Sequence, residues 1–469
     1  MNIIPHIDKK TPIPFLLKVI LGILVLILFS VWCWRAFTLL SFPFPIDYSE
    51  ASLLQGSILW KSTGTLYSPL EIMPMVHIAY PPLFMFVLQI FEEPQNMLFA
   101  GRILSVLSAL ICAWVIFLSG PKNNKLFAVG LITLWLSLPE VYRLNGMLRP
   151  DLPGLACLAI AFYSYRQNKK WICVCFLCLA ILFKHMFIVL ALIYLIIEWY
   201  KKSKSLKLFM LPFLILIGLM FGECGKHLFY YHSLDFDWSR FSPLIYQILK
   251  DSFMILCIVL LSGTQFKKFI FLWAGLSFIF ISFLINKPGS EALYGLEFQL
   301  ALILGLRSLE IKTEHLKIIF ILLIAGLLIN LPLPNTKVSS RMYANTSAPA
   351  SAKGSTPDIQ DFENGAALLN LLKSTRGRVL SENPAWPLLA GHQPELSPFQ
   401  VNELTQINKL SEEKILTDIS QHNFSLIMSE GQLDENQNRY FSEAIRRKIL
   451  DHYSLNQAFG QQHLYIPNQ

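Results

Sequence analysis

Long apolar stretches recur along the chain from Ile13 to about Leu333, and they restrict its folds more than any other feature. Hydrophobic residues make up 54% of the 469 residues and charged residues only 15%, whereas soluble proteins carry about 25% charged residues. Each stretch favours a transmembrane helix, because lipid offers no hydrogen-bond partners to an irregular backbone. The composition becomes ordinary after Pro334. We therefore predict a polytopic α-helical membrane protein with a small C-terminal α/β soluble domain.

Clusters of Lys and Arg between the apolar stretches indicate the cytoplasmic loops. The first stretch is followed by no small-residue cleavage site, so we predict an uncleaved signal anchor with a cytoplasmic N-terminus. Basic clusters flank residues 171–200, and Lys184 lies near the middle. We interpret this stretch as a hairpin of two short spans, since one long helix would invert everything after it. The prediction is about 11 transmembrane helices, at residues 13–40, 95–118, 126–138, 152–165, 171–200 (two), 208–221, 248–262, 269–285, 296–309 and 318–333.

The domain division follows the change in composition. Residues 1–335 form the predicted transmembrane domain, with a first outer loop at 41–82. Residues 336–357 are rich in Ser, Thr, Ala and Pro, which is typical of a linker. Residues 358–469 form the predicted extracytoplasmic domain. Within it we predict helices at 358–374 and 436–453 and strands at 378–381, 424–428 and 463–467.

The charge and the cysteines exclude two other classes of function. The net charge is +8, but the C-terminal region is nearly neutral. The positive excess therefore belongs to the loops between spans, and the sequence contains no nucleic-acid-binding motif. All eight cysteines precede the predicted soluble domain. We interpret Cys173, Cys175 and Cys178 as small apolar helix residues, because no His or carboxylate flanks them as a metal site would require.

Asp47 and Glu50 come at the start of a predicted helix in the first outer loop. Their D-x-x-E spacing is that of a capping box, in which both side chains close a helix N-terminus. A carboxylate at the membrane surface can also take a proton from an attacking hydroxyl. The two roles are compatible, with one acid capping and the other catalytic, so both are our catalytic candidates. We expect the helix, residues 48–60, to lie in the interface plane.

Two substrate-binding candidates follow in the chain. Tyr80 precedes Pro81 and Pro82, which either begin a helix or form a rigid turn over a pocket. The apolar residues after the prolines are too few to cross alone, which favours a surface or re-entrant helix. Arg102 falls inside the next apolar stretch. A charge there faces a partner or a cavity, unless it reaches the nearer interface.

Arg149 and Asp151 flank Pro150 where a predicted span re-enters the membrane from outside. They form either an interfacial ion pair or a guanidinium aimed at phosphate and positioned by its neighbour. Lys184 is predicted near the same face, in a context where a buried cation needs a partner. Two cations beside two carboxylates would suit a phosphorylated lipid donor and a hydroxyl acceptor.

The remaining candidates lie in later outer segments. Tyr294 and Glu297 end the segment that begins at Lys287, and Glu297 opens a span, where a carboxylate also favours a helix N-terminus. Asp235, Asp237 and Trp238 are weaker candidates for contact with a sugar, because aromatic residues are common at membrane interfaces.

Taken in order, these residues resemble the GT-C superfamily of integral-membrane glycosyltransferases, which includes protein mannosyltransferases and the aminoarabinose transferase of lipid A. The resemblance covers most of the chain and depends on short motifs. These are DYSE at 47–50, YPPL at 80–83, Arg102, RPD at 149–151, Lys184 and YGLE at 294–297. The C-terminal region is similar to uncharacterised bacterial members through VLSENPAWPLLAGHQP at 379–394 and the terminal LYIP.

The resemblance implies an inverting transfer of a sugar from a polyprenyl-phosphate donor at the outer face of the bacterial inner membrane. The acceptor would be a lipid, a glycan or a protein. An acidic residue of the first outer loop, here Asp47 or Glu50, would act as base or position the acceptor. These motifs indicate no particular cofactor, and they leave open whether the reaction uses a divalent cation. Tyr80 stands where some relatives have a Lys for the donor phosphate, so phosphate contact would fall to Arg149 or Lys184.

Two other classes of function compete with an enzyme. A transporter would usually contain related halves and helices broken by Gly or Pro at the midplane. The sequence contains no internal repeat, and its polar residues are predicted at one face. A non-catalytic membrane scaffold for envelope assembly, with a partner-binding C-terminal domain, is the third class.

Overall fold

The computed structural model describes residues 13–121, 125–231, 237–261, 268–287, 289–309, 313–331, 356–433 and 440–468. The described chain is mostly helical, with one small sheet near the C-terminus. Asp235 lies outside these residues, as does the predicted linker at 336–357 except for its last two residues.

The described part of the first 331 residues is built from apolar helices that alternate with short loops. The helices are α1 (Phe15–Ser41), α2 (Tyr48–Thr63), α3 (Leu83–Leu88), α4 (Pro94–Leu118), α5 (Lys125–Ser137), α6 (Pro139–Leu144), α7 (Asp151–Arg166), α8 (Lys170–Phe183), α9 (Val189–Tyr200), α10 (Leu206–Phe209), α11 (Leu211–Leu219), α12 (Gly222–Gly225), α13 (Phe241–Leu261), α14 (Lys268–Leu284), α15 (Leu296–Arg307) and α16 (Thr313–Ile329). A π-helical turn at Lys226–Tyr230 and 3-10 turns at Trp238–Arg240 and Ala292–Gly295 complete the helical elements.

Helix length and composition identify fewer full spans than the sequence predicts. Among the described residues, α1, α4 and the continuous helix Trp238–Leu261 are long and apolar enough to cross a bilayer, and a bent pair would make a fourth span. The helices α5, α8 and α9 and most of α14 and α16 are apolar but shorter. The protein is thus an α-helical integral membrane protein, while the number of eleven spans stays a prediction.

The predicted reversal within residues 171–200 is present. Lys184 ends α8 in an extended conformation. The Nζ atom of Lys170, the first residue of α8, lies 2.6 Å from Oε2 of Glu198 near the end of α9. This ion pair joins the start of α8 to the end of α9, so the two helices form a hairpin whose first and last residues lie on the same side.

The predicted span at 208–221 is helical from Leu206 to Leu219, in α10 and α11. The chain then turns by 92° between α11 and α12 and stays helical to Tyr230, within residues 222–247, which the sequence predicts as an outer loop. Gly222 has φ +60°, and a Cβ on Gly225 would lie 1.9 Å from the carbonyl oxygen of Met220. Glycine is the residue that permits both features, so these two glycines allow the sharp turn.

The C-terminal region forms a four-stranded sheet packed with helices. Its elements are α17 (Ile359–Ser374), β1 (Arg378–Ser381), α18 (Ala385–Leu389), α19 (Pro398–Gln406), α20 (Glu413–Ser420), β2 (Phe424–Glu430), α21 (Glu443–His452), β3 (Tyr453–Phe459) and β4 (Gln462–Pro467). The strand order is β1-β2-β4-β3, with β1 parallel to β2 and the other pairs antiparallel. Of the predicted helix at 436–453, residues 436–439 lie outside the described residues. The described helix begins at Glu443, and Tyr453 already belongs to β3, a strand that we did not predict.

This C-terminal region is joined to the first loop by backbone pairing. The N–H of Met75 donates to the carbonyl oxygen of Glu395 at 2.9 Å, and the N–H of Ser397 donates to the carbonyl oxygen of Met75 at 2.9 Å. The Gln55 amide on α2 donates to the carbonyl oxygen of Leu396 at 2.7 Å. Residues 395–397, which follow α18, therefore bind both the first loop and α2.

The helix α2 is buried in the protein and does not lie on a lipid surface as we expected. Leu53 and Leu54, two of the apolar residues assigned to the interface, are both 0% exposed. They are covered because α2 packs against α3, α4 and the C-terminal α18. Because these packing partners lie elsewhere in the chain, the sequence of α2 alone does not predict its burial.

Candidate active site

A cleft of about 140 Å³ lies where the first loop meets the C-terminal region. Five of the sequence candidates line it, namely Asp47, Tyr80, Arg149, Lys184 and Tyr294. The other lining residues are Tyr48, Ser49, Ser52, His77, Ala79, His185, Met186, Tyr231, Gly289, Glu291, Phe399, Gln400 and Tyr440. Residues from five separate segments of the first 331 residues and from the C-terminal region thus converge on one space.

Asp47 is the N-cap of α2 and faces the cleft at the same time. Its Oδ1 atom accepts a hydrogen bond from the N–H of Ser49 at 2.7 Å. Its Oδ2 atom lies 3.7 Å from the guanidinium Nη2 of Arg149. One carboxylate oxygen therefore holds the helix, and the other is directed toward a cation across the cleft.

Glu50 lies away from the cleft and is 0% exposed. Its Oε1 and Oε2 atoms accept from Nε and Nη2 of Arg102 at 2.9 and 2.8 Å. They also accept from the backbone N–H groups of Ile46 and Leu148 at 2.8 and 2.9 Å. The reciprocal capping box is not formed, because Glu50 binds these groups in place of the Asp47 N–H. This bidentate pair has the geometry of a buried structural ion pair.

Arg102 uses its remaining donors on the end of α1. It donates to the carbonyl oxygens of Leu39 at 3.0 Å, of Phe42 and of Phe44 at 2.7 Å. Since these carbonyls and Glu50 occupy the guanidinium, Arg102 is a clamp between α1, α2 and α4 and does not line the cleft. Of the alternatives for Arg102, the structure shows a buried partner, and the guanidinium is not placed to bind substrate in the cleft.

Arg149 is less completely paired. Its Nη2 atom lies 3.7 Å from Oδ2 of Asp47 and 3.7 Å from Oε2 of Glu291. Its buried Nε atom has no hydrogen-bond partner in the described part of the chain. Burial opposes its charge, but the carboxylates of Glu291 and Asp47 raise the pKa of Arg149 well above its ordinary value. Arg149 is therefore a fixed cation with capacity for a further acceptor.

Glu291 joins Arg149 to a second arginine. Arg143 donates to Oε2 of Glu291 and forms a 2.9 Å ion pair with Glu140. Burial opposes the charge of Glu291, but Arg143 and Arg149 outweigh it and hold the pKa of Glu291 at about 2. The carboxylate is thus ionised at neutral pH and fixes the orientation of both guanidinium groups.

Lys184 forms a short ion pair with Asp151, with Nζ 2.5 Å from Oδ1. Its Nζ atom also lies 4.4 Å from the centroid of the Tyr294 ring, in cation–π geometry. The other carboxylate oxygen of Asp151 is buried and has no hydrogen-bond partner among the described residues. Asp151 therefore positions Lys184, and Tyr294 forms the floor beneath the ammonium group.

Tyr80 lies in the cleft wall ahead of the two prolines, and α3 begins directly after them. The Tyr67 hydroxyl donates to the carbonyl oxygen of Tyr80 at 2.9 Å. Burial raises the pKa of the Tyr80 hydroxyl above its usual range. This residue therefore offers a neutral phenol where a lysine would offer a charge.

Glu297 and Asp237, like Glu50, Arg102 and Asp151, are not among the residues that line the cleft. Glu297 is buried on α15, where its Oε1 atom accepts from Nε1 of Trp273 at 2.9 Å. Asp237 caps the 3-10 turn at Trp238, with its Oδ1 atom 3.0 Å from the N–H of Ser239. Glu291, six residues before Glu297 in the same outer segment, is the acid that enters the cleft.

The sequence analysis also missed the contribution of the C-terminal region. Phe399, Gln400 and Tyr440 line the cleft, although none is near a membrane segment in sequence. Proximity to a predicted loop could not identify them. The one available signal was the similarity of residues 379–394 to uncharacterised bacterial members of the superfamily, and this stretch ends five residues before Phe399.

Among the described residues, no group of three or more His, Cys, Asp or Glu side chains is arranged to hold a metal ion. Asp47 and Glu291 are separated by Arg149, whose charge opposes a cation between them. These side chains do not form the oxygen cage that a divalent cation prefers.

The fold is similar to that of known membrane transferases. ArnT from Cupriavidus metallidurans in the apo state shares 12% sequence identity at a TM-score of 0.55, over 95% of this chain and 97% of that chain. ArnT from the same organism bound to undecaprenyl phosphate gives 12% identity and a TM-score of 0.56 over the same shares.

An oligosaccharyltransferase of Archaeoglobus fulgidus tethered with an acceptor peptide gives 12% identity and a TM-score of 0.47, over 97% of this chain and 74% of that chain. No family model matches the chain, and no curated protein sequence matches it significantly. The two ArnT structures confirm the predicted resemblance at the level of the fold.

Proposed function

We propose that this protein is a membrane glycosyltransferase that moves a sugar from a polyprenyl-phosphate donor to a hydroxyl group of a lipid, glycan or protein acceptor. Its fold is similar to that of ArnT over nearly the whole chain, and one ArnT structure is described as bound to undecaprenyl phosphate. The cleft combines a carboxylate with two cations. Sugar transfer from a phosphate needs a base for the acceptor proton and positive charge to stabilise the departing phosphate.

One observation carries this proposal. Asp47 and Arg149 face each other in a single cleft with 3.7 Å between Oδ2 and Nη2, and the Arg149 Nε atom has no partner among the described residues. A donor phosphate would complete the hydrogen bonding of Arg149, since a guanidinium binds phosphate through several parallel donors. Asp47 would then lie beside the reacting carbon.

The reaction in this cleft would be a direct displacement. The acceptor oxygen forms a bond to the anomeric carbon while the bond between that carbon and the phosphate oxygen breaks. Oδ2 of Asp47 takes the proton of the acceptor hydroxyl, as a general base does. The electron pair of the broken bond leaves with polyprenyl phosphate, and Arg149 stabilises its negative charge. A single displacement inverts the configuration at the anomeric carbon.

We assign the main phosphate contact to Arg149 and a supporting role to Lys184. The ammonium group of Lys184 is already 2.5 Å from the carboxylate of Asp151. Arg149 is held only at 3.7 Å from each of its carboxylates. Tyr80 supplies no charge of its own, so Arg149 would take over the part that a lysine before the proline pair plays in some relatives.

The test is to reconstitute the purified full-length protein in liposomes and to offer a panel of labelled polyprenyl-phosphate sugars. We expect one donor to bind and to lose its sugar to an added envelope extract, and Asp47→Asn to bind that donor without transfer. If no polyprenyl-phosphate sugar binds, the proposal fails. If Asp47→Asn leaves the glycan and lipid products unchanged, the protein is not this enzyme, and a transporter or scaffold remains.

The membrane side is part of the same proposal. The cleft would open at the outer face of the bacterial inner membrane, with residues 358–469 as a periplasmic domain. Reporter fusions at Lys184 and after the C-terminus test this orientation. Both should report a periplasmic location, and a cytoplasmic C-terminal region would contradict it.

A further inference from the structure

One wall of the cleft consists of aromatic rings that the proposed reaction does not use. Tyr48 and Tyr440 stack with ring centroids 4.4 Å apart. The Phe399 ring meets them at steep angles, with its centroid 6.4 and 6.2 Å from theirs. All three line the cleft. We call these three residues the aromatic wall.

The aromatic wall is fixed by contacts on two sides. The Tyr48 hydroxyl donates to Oε1 of Gln400 at 2.8 Å and accepts from the N–H of Phe399 at 3.3 Å. Gly289 lies against the Phe399 ring with φ +77°, and a Cβ there would lie only 3.1 Å from a ring carbon. These contacts hold Tyr48 and Phe399 in place, so a ligand would meet a largely preformed surface.

Gln400 adds a polar group at the edge of this surface. Its Oε1 atom is occupied by Tyr48. Its amide nitrogen has no hydrogen-bond partner in the described part of the chain, and the residue lines the cleft. An amide nitrogen donates two hydrogen bonds, so Gln400 presents donors beside ring carbons.

The position of the aromatic wall assigns it to the acceptor. Tyr48 directly follows Asp47 in the chain, so the wall adjoins the proposed base. The cations Arg149 and Lys184 lie on other segments that line the cleft. A donor phosphate at Arg149 and an acceptor at the aromatic wall would leave Asp47 between them.

We propose that the acceptor is a saccharide whose pyranose ring lies on the aromatic wall, with the Gln400 amide donating to one of its hydroxyl oxygens. This inference rests on the proposed function and specifies its acceptor. One face of a pyranose is made of C–H groups that pack on aromatic carbons, while its hydroxyls need polar partners. None of the four residues is charged, so this surface suits a neutral sugar better than an ionic headgroup.

The test measures saccharide binding and lipid binding separately on the full chain in nanodiscs. The saccharide probes are methyl glycosides of glucose, mannose, galactose and N-acetylglucosamine, followed by saturation-transfer NMR. The lipid probe is undecaprenyl phosphate, followed by native mass spectrometry. The variants are Tyr440→Ala, Phe399→Ala and Gln400→Glu, which keeps the oxygen bonded to Tyr48 but removes the amide donors. The controls are Tyr440→Phe, which keeps the ring, and Tyr200→Ala, which changes an exposed aromatic residue at the end of α9 that does not line the cleft.

We expect at least one glycoside to bind and the three variants to weaken it about tenfold, with both controls and all undecaprenyl phosphate affinities near wild type. If Tyr440→Ala loses its thermal transition, Gln400→Glu decides the result. The inference is overturned if no glycoside binds, or if Gln400→Glu binds as the wild type does. Failure of undecaprenyl phosphate to bind the wild type would instead overturn the proposed function.

Discussion

Two acid–arginine pairs begin three residues apart in the chain and serve different purposes. Glu50 and Arg102 meet through two bonds of 2.9 and 2.8 Å, and backbone groups occupy their other positions. Asp47 and Arg149 remain 3.7 Å apart, with the Arg149 Nε atom unpartnered among the described residues. The same two chemical groups thus make a closed structural clamp in one place and a site with spare hydrogen-bonding capacity in the other.

The largest expected effect comes from removing the acid of the open pair. We expect Asp47→Asn to lower the transfer rate about 100- to 10,000-fold, because the amide cannot take the acceptor proton. Asparagine is an equally good N-cap, so the free energy of unfolding should change little. The measurement is single-turnover transfer in liposomes beside thermal unfolding in detergent. A variant that loses stability with its activity would make Asp47 a structural residue.

The closed pair should respond in the opposite way. We expect Glu50→Gln to lower the free energy of unfolding by about 3–5 kcal/mol, because it leaves the Arg102 guanidinium buried without a counter-charge. Thermal unfolding of the purified protein measures this loss, with Asp47→Asn as the matched control. If Glu50→Gln unfolds like the wild type but cannot transfer sugar, Glu50 takes part in the chemistry and the distinction between the pairs fails.

The sequence was sufficient for the fold class and for much of the cleft. Apolar stretches and basic clusters predict helices α1, α4 and the α8–α9 hairpin because bilayer thickness and charge asymmetry act on local composition. The candidates Asp47, Arg149 and Lys184 were found as polar residues between such stretches. This kind of inference works where one segment alone decides the outcome.

The sequence-based predictions failed where contacts between distant segments determine the position of a side chain. The D-x-x-E pattern could not say which acid Arg102 would reach, since that depends on how α4 packs beside α2. Glu297 was a candidate as the last residue of the YGLE motif, and Glu291 was not a candidate. The Ala292–Gly295 turn leaves Glu291 in the cleft and Glu297 beside Trp273. Phe399 and Tyr440 come from a region that the sequence treats as a separate domain.

The cation of the open pair should affect donor binding. We expect Arg149→Gln to weaken undecaprenyl phosphate binding roughly 10- to 100-fold, as loss of hydrogen bonds to a charged group would. Arg149→Lys should recover only part of it, because an ammonium lacks the planar fork of donors. Lys184→Gln should have the smaller effect, since Asp151 already occupies its Nζ atom. A larger loss with Lys184→Gln would transfer the phosphate contact to that residue.

The smallest effect concerns the carboxylate that orients the open pair. Arg143 and Arg149 outweigh burial and hold the pKa of Glu291 at about 2, below its usual 4.5. Its contribution to stability is therefore complete above the pKa of an unfolded glutamate and is lost as the pH falls from there through about 2. The Glu291 side chain keeps 30% exposure, so solvent screens part of it and we expect a change on the order of 1 kcal/mol.

The measurement is the difference in unfolding free energy between the wild type and Glu291→Gln from pH 8 to pH 3. This difference should be constant down to about pH 5 and then shrink, because the amide that replaces the carboxylate in the variant cannot titrate. A difference that stays constant to pH 3 would mean that the two arginines do not stabilise the Glu291 charge. Arg149 would then lack the fixed counter-charge that keeps it in the cleft with spare donors, and the open pair would need another explanation.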